Sequence, residues 1–200
     1  MARYTGPKHK LARREGVNIL GKASASLDRR INVIPGSHSK RRGRKLSEYG
    51  IQLREKQKLK RIYGLMEKQF AKYVLNAQNM KMNTEDALIQ LLETRLDNVI
   101  YRLGFAKTRP MARQLVSHRH VLVNGKKVNI PSLNIKEGDE IALSPKILAN
   151  DALKIFIEEA TETPAFIKKV ALKGKLLRYP TKDEVANPVD YQLVIEFYSR

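Results

Sequence analysis

Cysteine is absent from the 200 residues, which removes disulfides, thiolate zinc sites, iron–sulfur clusters and a cysteine nucleophile together. Long apolar runs are missing too. No unbroken stretch of Ala, Val, Ile, Leu, Met, Phe, Trp or Tyr exceeds three residues, so no segment is expected to span a membrane. The opening residues, Met1-Ala2-Arg3-Tyr4-Thr5-Gly6-Pro7-Lys8, hold no apolar stretch suited to a signal-peptide core. Negative charge is also scarce, with 20 Asp or Glu against 39 Lys or Arg, a net charge of +19. Such a surplus repels itself unless a polyanion neutralises it, so the expected partner is a nucleic acid or an anionic surface. What remains, 42% apolar residues in a chain of this length, suffices for one or two domains with cores.

The cations are unevenly placed. Residues 1–62 carry 18 Lys or Arg and 4 Asp or Glu, a net of +14, whereas residues 63–200 carry 21 and 16, a net of +5. From Met1 to about Arg44 apolar residues are sparse and aperiodic, and the densest basic run is Lys40-Arg41-Arg42-Gly43-Arg44-Lys45. A stretch of this kind buries too little apolar area to offset its chain entropy, so residues 1–44 are expected to be irregular and to order on a partner. The competing reading is a solubilising tail or a nuclear address, which Tyr4, Pro7 and Pro35 would not serve.

Leu46 to Gly64 has helical spacing, with Leu46, Leu53, Leu59 and Ile62 apolar and Arg54, Lys56, Lys58, Lys60 and Arg61 charged. Leu65 to Ala77 predicts a second helix, forming a hairpin with the first. The most regular pattern runs from Thr84, an N-cap, through Leu88, Leu91, Leu92, Leu96, Val99, Ile100 and Leu103 to Gly104, and predicts one amphipathic helix. Thr108 caps another, with Pro110 in its first turn and Ala112, Leu115 and Val116 inward. That leaves Arg109, Arg113 and Gln114 to face outward before His118-Arg119-His120.

Val121-Leu122-Val123, Asn124-Gly125 and Lys126-Lys127-Val128 read as strand, type I′ turn and strand. Gly138-Asp139 is a further turn before Glu140-Ile141-Ala142-Leu143. Past Pro145, Ile147 to Ala160 is expected to be helical, and Val170–Leu172 and Leu176–Tyr179 are candidate strands around Gly174. Tyr191 to Arg200 is apolar enough to dock on the body as either helix or strand.

The basic arm, the basic helix face and the group Arg109, Arg113, His118, Lys126 and Lys127 make three positive surfaces on one chain. Guanidinium groups fork onto phosphates and Lys acts as a point charge, so many of each over a broad surface suit a folded RNA. RNA is favoured over DNA because no helix has the look of a major-groove reader. His118 and His120 invite a metal reading, but neither Cys nor a nearby carboxylate completes a ligand set. Arg95-Leu96-Asp97 also occurs around the catalytic aspartate of pseudouridine synthases; here it falls inside the long helix, where chance explains it better. No phosphate-cradling glycine loop, serine triad or carboxylate pair is present, so no enzymatic reading rests on visible chemistry.

Thr94-Arg95-Leu96-Asp97 through Arg102-Leu103-Gly104-Phe105-Ala106, then Thr108-Arg109, Ala112 to Val116, His118, His120 to Gly125 and Ile135 to Asp139, resemble the small RNA-binding module named after ribosomal protein S-four. That module also occurs in pseudouridine synthases, tyrosyl-tRNA synthetases and a heat-shock protein. Arg3-Tyr4-Thr5-Gly6-Pro7, Lys45 to Lys58 and Val194 to Arg200 extend the likeness over the full length, and the chain resembles the bacterial-type S-four family of small-subunit ribosomal proteins.

The resemblance implies an α+β, mainly helical fold: a helical domain interrupted by a module of helices on a short antiparallel sheet, with an irregular basic N-terminal arm. The divisions expected are 1–44 for the arm, 45–92 for the helical domain, 93–160 for the module and 161–200 for a C-terminal segment completing the body. It implies a cytoplasmic primary binder of 16S-type small-subunit rRNA, at a multi-helix junction in the 5′ domain, that nucleates assembly. Contact with protein S-five, a place near the path by which messenger RNA enters, and influence on decoding accuracy are implied as well. No enzyme activity, cofactor, metal, membrane or DNA is expected.

The expected RNA-binding residues are Arg3, Tyr4, Lys8, Lys10, Arg13, Arg14, Lys40, Arg41, Arg42, Arg44 and Lys45 in the arm, and Arg54, Lys58 and Arg61 on the helix face. In the module they are Arg109, Arg113, Gln114, His118, His120, Asn124, Lys126 and Lys127. Two departures from the family stand out. Many relatives carry a zinc knuckle of cysteines in the arm, absent here, and Arg119 occupies a turn position where the family usually has Gly.

Overall fold

The structure is a computed structural model that describes residues 4–19, 21, 24–36, 46–159, 163–185 and 187–199. Its helices are α1 (Lys8–Glu15), α2 (Ala25–Asp28), α3 (Glu48–Ile62), α4 (Glu67–Gln78), α5 (Thr84–Glu93), α6 (Leu96–Arg102), α7 (Arg109–Ser117), α8 (Pro145–Leu148), α9 (Asp151–Glu159) and α10 (Tyr191–Tyr198). Its strands are β1 (Val121–Val123), β2 (Lys126–Val128), β3 (Glu140–Leu143), β4 (Ile167–Val170) and β5 (Lys173–Leu176). The fold is α+β and mainly helical, as expected, and divides into two units, one of residues 1–85 with 187–200 and one of residues 86–186.

In the first unit α3 starts where the Ser47 hydroxyl accepts from the Gly50 amide at 3.2 Å and stops before Gly64, whose φ of +63° favours glycine. Its inward face is Gln52, Lys56, Leu59 and Ile62. Two of these are polar because α10 and α4 meet them with polar partners. The Gln52 amide donates to Glu196 at 3.0 Å, and Lys56, only 5% exposed, lies 2.8 Å from Glu67 and 4.4 Å from the ring centre of Phe197. The C-terminal stretch left open by sequence is thus a helix, capped by Asp190, which accepts from the Gln192 amide at 3.0 Å.

The arm departs from expectation. Residues 8–15 form α1, packed against α3, and Glu15 is the reason. Its side chain is 1% exposed, and one oxygen accepts from Arg54 at 3.3 Å and pairs with Arg61, so a buried carboxylate clamps the arm to α3.

The second unit is an antiparallel sheet in the order β2-β1-β3-β5-β4 with its helices on one face. Val121 and Val123, Ile141 and Leu143, Ile167 and Leu176 point into a core shared with Leu96, Val99, Ile100 and Leu103 of α6 and Ala112, Leu115 and Val116 of α7. The hairpin turn appears as predicted, with Asn124 at φ +49° and Gly125 at +77° and with Val121 opposite Val128.

Three expectations are corrected. The helix predicted from Thr84 to Leu103 is broken at Arg95, whose extended backbone bridges Asn134 while Ile135 donates to the Thr94 carbonyl at 2.8 Å. The helix predicted from Ile147 is two, parted at Asn150, whose side chain accepts from the Leu153 amide at 3.2 Å. The late strands are Ile167–Val170 and Lys173–Leu176, turning at Ala171 with φ +51°, so residues 167–176, assigned by sequence to the C-terminal segment, complete this sheet. Gly174 is no turn: it pairs with Ile141 and Lys169, and a Cβ there would collide with the buried Leu103 side chain.

Candidate nucleic-acid interface

Helix α7 is set by Thr108, whose hydroxyl accepts from the Met111 amide at 3.3 Å, and by Pro110, whose missing amide hydrogen is harmless in a first turn. Arg109 and Arg113 do not face outward. Both are half-buried because polar groups of the α5–α6 break reach them. Arg113 donates through Nε to Asp97 at 3.0 Å, and Asp97 also accepts from Arg95, at 3.1 Å from Nε and 2.9 Å from Nη2. The Arg95 side chain is 1% exposed.

Beside this triad Arg109 donates to the Asn98 side-chain oxygen at 2.7 Å and stacks its guanidinium 4.5 Å from the Tyr101 ring centre. Asn98 in turn donates to Glu93 at 2.7 Å, and the fully buried Glu93 carboxylate takes a two-pronged contact from Arg102, both bonds 2.8 Å. Three guanidiniums thus meet two carboxylates while a fourth, Arg109, is held by an amide oxygen and a ring, so the network holds its arginines in fixed orientation.

Helix α7 ends at His118, and the chain reverses through Arg119 at φ +61°, with the His120 amide donating to the Leu115 carbonyl at 3.0 Å. This left-handed position explains why glycine is the expected residue there. Gln114, His118 and Arg119 are exposed, and the two histidine rings stand 6.2 Å apart. Among the described residues no group of three or more His, Asp or Glu is arranged to hold a metal ion.

The hairpin is fastened by Asn124, whose side chain donates to Asp139 at 2.8 Å and accepts from the Glu140 amide at 2.9 Å. Lys126 and Lys127 are both exposed, but neighbouring strand residues alternate, so they occupy opposite faces of the sheet. The sequence alone places them in one group with Arg109, Arg113 and His118.

In the first unit Tyr4, Lys10 and Arg14 are exposed and Lys8 is half-buried, while the Arg13 Nε donates to the Val33 carbonyl at 2.9 Å. Arg54 and Arg61 answer Glu15, and Lys58 pairs with Glu55 at 2.5 Å, so the basic helix face is largely neutralised from within. Burial pushes the Arg61 pKa down, against the opposing pull of Glu15. Arg3, Lys40, Arg41, Arg42, Arg44 and Lys45 lie outside the described residues.

Sequence reasoning missed Glu93, Arg95, Asp97 and Asn98. Inside a helical pattern Arg95-Leu96-Asp97 reads as chance, although Asp97 beside a core leucine is a sign that the carboxylate has a buried partner. No helix among the described residues is long and apolar enough to cross a membrane.

The unit of short helices on a small sheet is an S4-type module: residues 94–141 match the S4 domain, while residues 3–93 match the family described as Ribosomal protein S4/S9 N-terminal domain. Relatives match end to end. The chain is 47% identical over 202 residues to small ribosomal subunit protein uS4 of Brevibacillus brevis, covering all of both chains. It is 47% identical over 207 residues to that of Dictyoglomus turgidum and 49% over 205 residues to that of Akkermansia muciniphila, again with both chains fully covered. The chain belongs to the uS4 family of small ribosomal subunit proteins.

Proposed function

We propose that this chain is a structural constituent of the small ribosomal subunit in the cytoplasm, and not an enzyme, and that it binds the subunit's rRNA. The observation that carries this is the end-to-end match to uS4 proteins by a chain whose surplus of +19 demands a polyanion. The finer reading is a primary binder of the 5′ domain of 16S-type rRNA that nucleates assembly, touches the neighbouring protein S-five, lies near the path of incoming messenger RNA and contributes to decoding accuracy.

The residues proposed to meet RNA are the arm cations, with Lys10 and Arg14 exposed on α1, and Gln114, His118, His120 and the hairpin of the module. Arg109 and Arg113, half-buried on α7, are proposed to contribute by holding that end of the helix in place. Arg54, Lys58 and Arg61 meet phosphate only by leaving or sharing their carboxylates. The test is filter binding of purified protein to 5′-domain rRNA and to bulk RNA over a salt series, with cosedimentation on small subunits. Preferential affinity falling steeply with salt is expected, because each neutralised phosphate releases counterions. Equal affinity for both RNAs at moderate salt would overturn the reading.

A further inference from the structure

The face of the sheet that its helices leave uncovered carries a pattern the RNA-binding reading did not use. Alternation along each strand, with the cross-strand register, puts Lys127, Leu122, Ala142, Lys173 and Val170 in one row across β2, β1, β3, β5 and β4. A second row places Glu140 opposite Lys175 and Lys175 opposite Lys168. The face is open: the side chain of Lys173 is 65% exposed, and Val170 is 61% exposed. One acid opposes four lysines, Glu140 pairing with Lys173 at 2.6 Å, while Lys168 and Lys175 have no ion-pair partner among the described residues.

We propose that this open face is a second RNA-binding surface, separate from helix α7, which takes the phosphate backbone of an RNA strand along Lys168, Lys173 and Lys175. The proposal rests on the RNA-binding reading above. Lys173 and Lys175 are two residues apart on one strand, about 7 Å, a separation comparable to that of successive phosphates on a nucleic-acid strand. Protection of a sheet edge against aggregation would account for Lys168 on β4 but not for Lys173 and Lys175, because β5 is an interior strand. A protein partner fits poorly, since protein interfaces are depleted in lysine and the apolar residues here are few, with Leu122 and Ala142 half-buried in the sheet.

The test compares the triple variant Lys168→Gln, Lys173→Gln, Lys175→Gln with a charge-matched control, Lys68→Gln, Lys72→Gln, Lys81→Gln, all exposed positions of the first unit. The full chain is bound to small-subunit rRNA at several salt concentrations, with circular dichroism confirming that each variant is folded. The sheet variant is expected to weaken binding at least tenfold and to reduce the slope of log affinity against log salt by about 1.5–2, the release from the two phosphates that Lys168 and Lys175 neutralise, with the control nearly unchanged. Glu140→Gln, which frees Lys173, is expected to tighten binding. Equal losses in both triples, or an unchanged slope in the sheet variant, would overturn the proposal while leaving the RNA-binding reading intact. A wild-type chain with no preference for this rRNA would overturn that reading itself. Protection of Lys173 and Lys175 from an amine-reactive label in the binary complex with rRNA supports the proposal. Protection only in assembled subunits would assign the face to a protein and overturn it.

Discussion

Replacing Asp97 by Ala tests whether the arginine network holds the second unit together. Asp97 accepts three bonds from two guanidiniums, Arg95 at 3.1 and 2.9 Å and Arg113 at 3.0 Å, and the Arg95 side chain is 1% exposed. Removal leaves Arg95 charged, buried and without its carboxylate, because arginine does not discharge by deprotonation. Breaking a buried pair in this way costs roughly 3–5 kcal/mol, against about 0–1 kcal/mol for an exposed pair. Asp97→Asn keeps the shape and one acceptor, so it is expected to fall between the two.

Because the chain has two units, the unfolding of the second is followed by amide exchange of Val99, Ile100 and Val116, all in its core. With an m-value of about 2 kcal/mol/M, the loss moves the urea midpoint reported by these amides down by roughly 1.5–2.5 M. A shift below about 0.5 M, equivalent to an exposed pair, would show that water screens the network and that the orientation of Arg109 and Arg113 has another cause.

Glu67 is affected by burial, which raises its pKa, but hydrogen bonds from Lys56, Lys60 and Tyr198 outweigh this and bring it from 4.5 to about 2. A carboxylate depressed on folding contributes stability above pH 4.5 that is lost as pH falls towards 2. Glu67→Gln is therefore expected to flatten the acid limb of the first unit's unfolding curve, by about 1 kcal/mol or less because the side chain is half exposed; an unaltered limb would refute the assignment. Gly174→Ala is expected to destabilise by about 1–3 kcal/mol, since Leu103 is fully buried and has nowhere to retreat, and an unchanged thermal midpoint would refute that packing. Arg119→Gly is expected to stabilise by roughly 0.5–1 kcal/mol, the relief of left-handed backbone less the added freedom of the unfolded chain, with urea unfolding as the check.

Turns and most caps were legible in the sequence, because their chemistry is local; Thr84 is an exception, since it opens α5 while Asn83 before it accepts from the Glu85 amide at 2.9 Å. Thr108, Pro110, Gly64 and Asn124-Gly125 act where their residue types say they should. The break at Arg95 was not legible. Leu88, Leu92, Leu96 and Val99 keep helical spacing straight across it, and the bridge that interrupts the helix comes from Asn134, far along the chain. Gly174 misled for the opposite reason: glycine suggests a turn, but here it lets the sheet approach Leu103, a demand set by packing. For α1 the missing signal was Glu15, one acid among many bases, whose value appears only when Arg54 and Arg61 are seen around it.

The same distinction governs the cations. Net charge counts every Lys and Arg alike, whereas the structure divides them into those held by a carboxylate and those left in water. Arg102 and Arg113 belong to the first kind, held by Glu93 and Asp97, and Arg109 is fixed beside them by the Asn98 oxygen and the Tyr101 ring, in planar or stacked contacts for which lysine is no substitute. A guanidinium already oriented loses little conformational freedom when a phosphate arrives, so these residues favour one geometry over others. Lys127, Lys168 and Lys175 belong to the second kind, exposed and hydrated, and contribute affinity mainly by displacing counterions. It follows that substitutions in the arginine network should alter selectivity among RNAs more than the salt slope, and substitutions among the sheet lysines should do the reverse.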